Sequence, residues 1–266
     1  MDYDFVKEES VLQNLMDSKT LAYINMFAVL GTLENLCEIV PEASELLQGK
    51  KPISIGFEVK GGPSATIYFK NGKCRMEQGC SVCDVKLPFS SCEKFNGLID
   101  GTVTPIPSKG FTHINFLLKT FTPLTDLLSK YMRATEEDLK DPVFFERSTM
   151  LMLYTIGVAI SQIGNNDQIG KFSAQSIADG SIYLGIKDGP GVEIVCKDNR
   201  LLTVKKVPEK YRSSMIFESI EVARDLFDGK VNALDCIGMG RIEMHGLVSM
   251  LDNVNRILDR VALYLA

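Results

Sequence analysis

Apolar positions change their period along this chain in a fixed order, and the order then repeats. The opening region carries Leu21, Ile24, Phe27, Ala28 and Leu36 at near-helical spacing, which predicts helix broken around Gly31 and ended before Pro41. A short helix from Glu42 to Gln48 follows, with Gly49 as its C-terminal stop. At Ile53 the period becomes two. Ile53, Ile55, Phe57 and Val59 share one face of a strand, Gly61-Gly62-Pro63 turns the chain, and Ala65, Ile67 and Phe69 form the next strand. Asn71-Gly72 is a strong hairpin signal, because both central positions of a type I′ turn need positive φ. Cys74 and Met76 continue a third strand. Ser90 to Asp100 reads as helix with Phe95, Leu98 and Ile99 inward. Beyond a Pro-rich passage from Thr104 to Pro107, Gly110 to Phe116 is expected to be a strand and Phe121 to Tyr131 a helix.

The acidic run Thr135 to Asp141 before Pro142 is the best boundary, dividing the chain into residues 1–134 and 135–266. A helix from Pro142 to Ile163 and a loop from Gly164 to Gly170 lead into the second cycle. There Ile182, Leu184 and Ile186 alternate, as do Val192, Ile194 and Cys196. Asp198-Asn199 turns the chain toward Leu202 and Val204. Ile216 to Phe227 reads as helix, Val231 to Cys236 and Arg241 to His245 as strands, and Met250 to Tyr264 as a closing helix with a clean apolar stripe. The two cycles align at nearly constant offset. Val59-Lys60-Gly61-Gly62-Pro63 matches Ile186-Lys187-Asp188-Gly189-Pro190 at 127, and Leu98-Ile99-Asp100-Gly101 matches Leu226-Phe227-Asp228-Gly229 at 128. That period is too long for a solenoid unit and is a normal domain size. The expected class is α+β, in two related halves that pack on each other.

Laid side by side, the halves resemble the sterol carrier protein-2 (SCP-2) family in tandem. The resemblance is carried by Pro63-Ser64-Ala65-Thr66-Ile67-Tyr68-Phe69-Lys70-Asn71-Gly72-Lys73-Cys74 and Phe95-Asn96-Gly97-Leu98-Ile99-Asp100-Gly101 in the first half. In the second it rests on Gly189-Pro190-Gly191-Val192-Glu193-Ile194-Val195 and Ala223-Arg224-Asp225-Leu226-Phe227-Asp228-Gly229-Lys230. It implies a mainly antiparallel five-stranded sheet per half, covered by helices, with an apolar tunnel between the two layers. It implies a lipid, fatty acyl or sterol-like partner, no cofactor and no catalytic residues. The expected lining is Phe116, Leu117, Phe121, Leu124 and Leu128 in the first half, and Met244, Leu247, Met250, Leu251, Val254 and Leu258 in the second. The same residues would serve equally as the packed core of any α+β domain, so a filled structural or regulatory module stays open as an alternative.

Composition narrows the remaining classes. A net charge of -5 with dispersed Lys and Arg offers no basic stripe for nucleic acid. The acidic opening MDYDFVKEES lacks the basic-then-apolar order of a signal peptide, and no uncharged apolar run reaches the length of a membrane span. Seven cysteines without a secretory signal read as reduced thiols of a cytoplasmic protein. Cys74, Cys80, Cys83 and Cys92 lie close in sequence, with Cys80 and Cys83 as a CxxC, so metal binding or thiol redox chemistry is a further alternative; the second half has Val207-Pro208-Glu209-Lys210 instead. His113 and His245 are expected in the late strand of each half. There is no HExxH, GxSxG, GxxxxGK[ST] or GxGxxG, and acid–base catalysis has no candidate.

Overall fold

The computed structural model describes residues 16–265; the acidic opening lies outside the described residues. Asp17 caps the first helix, its carboxylate accepting from the backbone N–H of Lys19 and Thr20. That helix, α1 (Ser18–Tyr23), runs without a break through a π-helical turn (Ile24–Val29) and a 3-10 turn (Leu30–Thr32) into α2 (Leu33–Ile39). The break expected around Gly31 is therefore a change of helix type. Gly31 and the back-bond from Thr32 Oγ1 to the Ala28 carbonyl (2.7 Å) loosen the α-helical ladder without stopping the chain. Pro41, fixed at a helix-compatible φ, starts α3 (Pro41–Leu47).

The first sheet contains β1 (Ile53–Val59), β2 (Ser64–Lys70), β3 (Lys73–Gln78) and β4 (Val85–Phe89), in the order β3-β2-β1-β4. Strands β1 to β3 are antiparallel neighbours and β4 runs parallel to β1. Helices α4 (Cys92–Ile99), α5 (Ile114–Phe116) and α6 (Thr122–Met132) complete this half. The second begins with α7 (Pro142–Asn166) and α8 (Gln168–Ala174), so the loop expected from Gly164 to Gly170 is almost entirely helical. Its sheet contains β5 (Gly180–Ile186), β6 (Gly191–Lys197), β7 (Arg200–Val204), β8 (Ser213–Phe217) and β9 (Ile242–Gly246), in the order β7-β6-β5-β8-β9. Helices α9 (Ile220–Phe227), α10 (Ala233–Gly238) and α11 (Val248–Leu265) close it. The strand expected at Val231 to Cys236 is a loop and α10, because Asn232 accepts from the N–H of Leu234 and Asp235 and so starts a helix. Strands β4 and β8 are parallel additions: β4 falls where the sequence predicts no element, and β8 is partly merged with the helix expected after it.

The repeat is exact at the level of register. Ile53 pairs with Phe69 and Gly180 with Cys196; Lys70 pairs with Lys73 and Lys197 with Arg200. All four positions shift by 127. From β4 onward the shift is 128, since Ile55 pairs with Val85 and Ile182 with Ser213. The turns explain the match. Asn71 and Gly72 take φ of 52° and 77°, and Asp198 and Asn199 take 50° and 61°; Gly, Asn and Asp are the residues that tolerate this region. Ser91 and Ser219 cap α4 and α9 alike, accepting from Lys94 and Val222.

The halves differ at the fifth strand. His245 of β9 pairs with Ser214, and the equivalent contact in the first half is a single bridge between Lys86 and Lys109. Pro88 on β4 and Pro105 and Pro107 on the facing segment lack the N–H groups that a continued ladder would use, so pairing ends there. The strand expected from Gly110 to Phe116 is instead a 3-10 turn (Phe111–His113) followed by α5, and the first sheet has four strands.

Each sheet buries one face beneath helices. Ile55, Phe57, Ile67, Leu87, Phe95 and Leu124 anchor one core; Ile182, Leu184, Val192, Ile194, Phe217 and Ile257 anchor the other. The cores interlock: Ile24 and Ala28 belong to the second, and Leu151 of α7 to the first. Thr32 and Thr155 hydroxyls meet at 2.9 Å between the two leading helices. Buried Arg224 donates to Ser148 Oγ (2.8 Å), which donates to the Tyr131 carbonyl (2.6 Å) and so ties α9 to the end of α6. By length and composition α7 could cross a membrane. Its buried polar residues Ser148, Thr149, Thr155 and Ser161 all find protein partners, as a helix shared by two cores requires.

Candidate functional site between sheet and helices

In the first half the expected lining residues converge. Phe121, Leu124 and Leu128 are buried in the same core as the inward residues of β1 and β2, while Phe116 and Leu117 are half-buried at its margin. The Phe121 ring lies 6.1 Å from Phe57 and 6.0 Å from Phe69, and Phe116 lies 5.4 Å from Phe69. Phe95 completes the cluster against Phe57 (6.3 Å) and Phe89 (5.2 Å). Tilted and edge-on rings at these separations are favourable packing, and they occupy the space between the layers. In the second half Met250, Leu251 and Val254 are buried, Met244 and Leu258 half-buried, and Leu247 exposed.

The element over the first sheet is irregular. Between Phe111 and Phe121 the chain passes through a 3-10 turn, α5 and a π-helical turn (Leu117–Phe121) before α6. Its outer side is mixed: Phe111 is 59% exposed and Leu118 64%, beside exposed Thr112, His113, Asn115 and Lys119, with Ile106 just before them at 76%. Gly110 starts it at φ 88°, where an added Cβ would come within 2.4 Å of the Asp84 carbonyl oxygen. Gly246 holds the same place before α11 at φ 97°, with 2.1 Å to the Arg212 carbonyl oxygen. Close backbone approach at these two glycines fixes where each closing helix leaves its sheet.

The remaining candidates scatter. His113 lies exposed in the 3-10 turn rather than in a strand; His245 lies exposed on β9, 3.3 Å from Glu243. The four clustered cysteines separate into different contacts. Cys80 and Cys83 have Sγ atoms 3.9 Å apart, Cys74 instead meets Cys37 of α2 at 3.8 Å, and Cys92 packs on Gly62. Among the described residues no three His, Cys, Asp or Glu side chains converge on a common point.

A cleft between the halves, about 770 Å³, escaped the sequence reading. Tyr23 and Phe27 of the first leading helix, Gln162 of α7, Met76 of β3, Leu201 of β7 and Lys205 just beyond it line it. Both edge strands reach it, each with one residue's outward backbone capped by a side chain. The Met76 N–H donates to Glu34 Oε1 (2.5 Å), and Asn165 both donates to the Leu201 carbonyl (2.7 Å) and accepts from its N–H (3.0 Å). Lys205 donates to the Gly31 carbonyl (3.1 Å) and Asn35 Oδ1 (2.6 Å). Burial lowers its pKa to about 8, against the opposing pull of Glu34. No sequence pattern marks this lysine, because its partners lie some 170 positions away.

The molecule is thus an α+β protein of two repeated units, each a sheet closed by helices. No protein-family model matches the chain, and no curated protein is similar to it in sequence. Among solved structures it is similar to sterol carrier protein-2 domains. The sterol carrier protein domain 2 of Helicoverpa armigera aligns at 16% identity and a TM-score of 0.34, over 42% of this chain and 88% of that one. The ubiquinone synthesis protein UbiJ-SCP2 aligns at 14% and 0.33, over 41% and 95%. Apo sterol carrier protein 2 from Yarrowia lipolytica aligns at 22% and 0.30, over 40% and 89%. Such identities and scores say nothing of activity, and the two-unit description rests on the strand orders and the register above.

Proposed function

We propose that the chain binds a lipid, fatty acyl chain or other apolar small molecule between sheet and helices, without catalysis, and that the first half is the binder. The observation that supports this most is the closing segment of that half. Phe116 and Phe121 act as plugs on Phe57 and Phe69, and they are carried by a short, irregular helix that also exposes Phe111 and Leu118. An entering chain replaces ring contacts with its own and gains about 0.8 kcal/mol per buried methylene. The second half, closed by the long regular α11, serves as the scaffold. Reduced thiols throughout the described residues fit a cytoplasmic setting.

Native mass spectrometry of protein purified from its own host, followed by lipid extraction, tests this directly. A stoichiometric lipid and displacement of a fluorescent fatty acid are expected. Phe121→Asp is expected to weaken that fatty acid more than about tenfold while α11 and the second core stay folded by hydrogen exchange. Recovering no lipid and seeing no displacement favours the rival, a structural or regulatory module. That rival draws on a specific feature: Phe57, Phe95 and Leu124 have no exposure at all, so the interior is filled.

A further inference from the structure

Gly56 sits in the middle of β1. Its neighbours Ile55 and Phe57 point into the core, so alternation puts Gly56 on the outer face of the sheet. An added Cβ there would stand 2.4 Å from Cys80 Sγ and 2.7 Å from Cys83 Sγ. The two thiols therefore rest on bare backbone at the centre of the sheet. The loop carrying them is pinned at both ends. Thr66 Oγ1 donates to the Gly79 carbonyl (2.8 Å), and the Asp84 carboxylate accepts from the N–H and hydroxyl of Ser54 (2.8 Å each). Lys109 Nζ donates to the Cys83 carbonyl between them.

The second half shows what this patch looks like when it only covers the sheet. By the offsets of the repeat, Gly56 corresponds to Tyr183 and Cys83 to Tyr211. Those two rings lie 5.5 Å apart, and Tyr183 lies flat over Gly185 and Gly191. Covering the outer face needs no sulfur. In the first half the side chain at the centre has been removed and a thiol pair seated in its place.

We infer that Cys80 and Cys83 form a two-coordinate site for a soft monovalent d10 metal ion, with Cu(I) as the natural occupant. Thiolates select such ions, and two sulfurs 3.9 Å apart span two metal–sulfur bonds of about 2.3 Å at a bent angle. A closed zinc site needs four ligands, and no third His, Cys, Asp or Glu among the described residues joins the pair. Charge agrees. The reaction is one Cu(I) plus two thiols giving a bis-thiolate complex of net charge minus one and two released protons. Lys86, paired with Glu58 at 2.9 Å, and Lys109, which reaches the Cys83 carbonyl, stand beside that complex, two cations against one carboxylate. The Cys37–Cys74 pair has nearly the same spacing but joins buried Cys37 of α2 to β3 within the first core, where Glu34 and Lys205 act on it in opposite directions, so no surplus of positive charge favours a second negative complex there.

The test is anaerobic titration of the reduced full-length chain with Cu(I) against bicinchoninate. One Cu(I) per chain should be retained against the chelator. X-ray absorption of that complex should show two sulfur neighbours. Cys80→Ser and Cys83→Ser should each lose the ion, whereas Cys37→Ser should keep it, with thermal melting confirming that every variant is folded. Absence of retained copper, retention that survives loss of Cys80 and Cys83, or a first shell dominated by nitrogen or oxygen overturns the assignment. The wild-type sulfur count stands even if a variant fails to fold. None of these readouts depends on lipid binding.

Discussion

Asp167 is a buried carboxylate that ends one helix and starts the next. Its oxygens pair with Arg260 at 2.7 and 2.8 Å and accept from the Gly170 N–H and the Tyr264 hydroxyl, each at 2.8 Å. Tyr264 in turn accepts from the Asp17 N–H (3.1 Å), so one carboxylate joins α11 to α8 and the start of α1. Burial alone would raise its pKa, but the Arg260, Gly170 and Tyr264 bonds outweigh it and the net shift is downward. A depressed folded-state value contributes stability that is complete above the unfolded carboxylate value, about 3.9, and is lost as pH falls through the folded one. Asp167→Asn should therefore cost about 3–5 kcal/mol near neutral pH in urea titrations, with the gap to wild type shrinking below about pH 4. A gap that stays constant down to pH 2 would show the carboxylate's charge to be irrelevant. Nothing in the sequence announced this cluster, because Asp167 and Arg260 are 93 positions apart and the region reads as a glycine-flanked loop.

At the level of elements, the contrast is between the two closing helices. The segment from Phe111 to Phe121 changes helix type twice and exposes apolar side chains, whereas α11 runs unbroken from Val248 to Leu265. Weakly packed helical turns open more readily than long amphipathic ones. Hydrogen exchange should accordingly find the amides from Ile114 to Phe121 unprotected well before those from Met250 to Val261, and a bound fatty acid should slow the former set. Equal protection in both segments would leave no moving part for ligand entry. The hairpins and α4 were legible from sequence, since alternation, positive-φ turn residues and a helical apolar face are local signals, whereas α9 was expected from Ile216 and its start at the Ser219 cap was missed. The fifth strand expected in the first half does not form, because prolines reduce it to the Lys86–Lys109 bridge, while the β-branched and aromatic run after it looked like strand. The lining residues were readable as an apolar set. Whether rings fill the gap depends on how far the layers stand apart, which no local pattern encodes.

For the whole molecule, the decisive fact is that each leading helix serves the other half. Ile24 and Ala28 complete the second core and Leu151 the first, with Arg224 and Ser148 bridging back to Tyr131. Two halves of this size would ordinarily fold alone. Here a chain ending at residue 134 leaves the first half without the α7 side chains it packs against. The full chain should unfold in one transition, with far-ultraviolet dichroism and tyrosine fluorescence superimposing in urea, and the isolated 1–134 fragment should show no cooperative melt. Two resolved transitions would mean that the interlocking adds little.

Asn165 has a wider consequence. By offering Leu201 one donor and one acceptor, its amide imitates a single residue of a neighbouring strand, so β7 meets a decoy where another chain could otherwise dock. Glu34 does half as much for β3. A duplicated sheet protein carries twice the number of open borders at which identical copies could zip together into fibres. In this one the same helices that knit the halves into one body also stand guard over one border of each sheet.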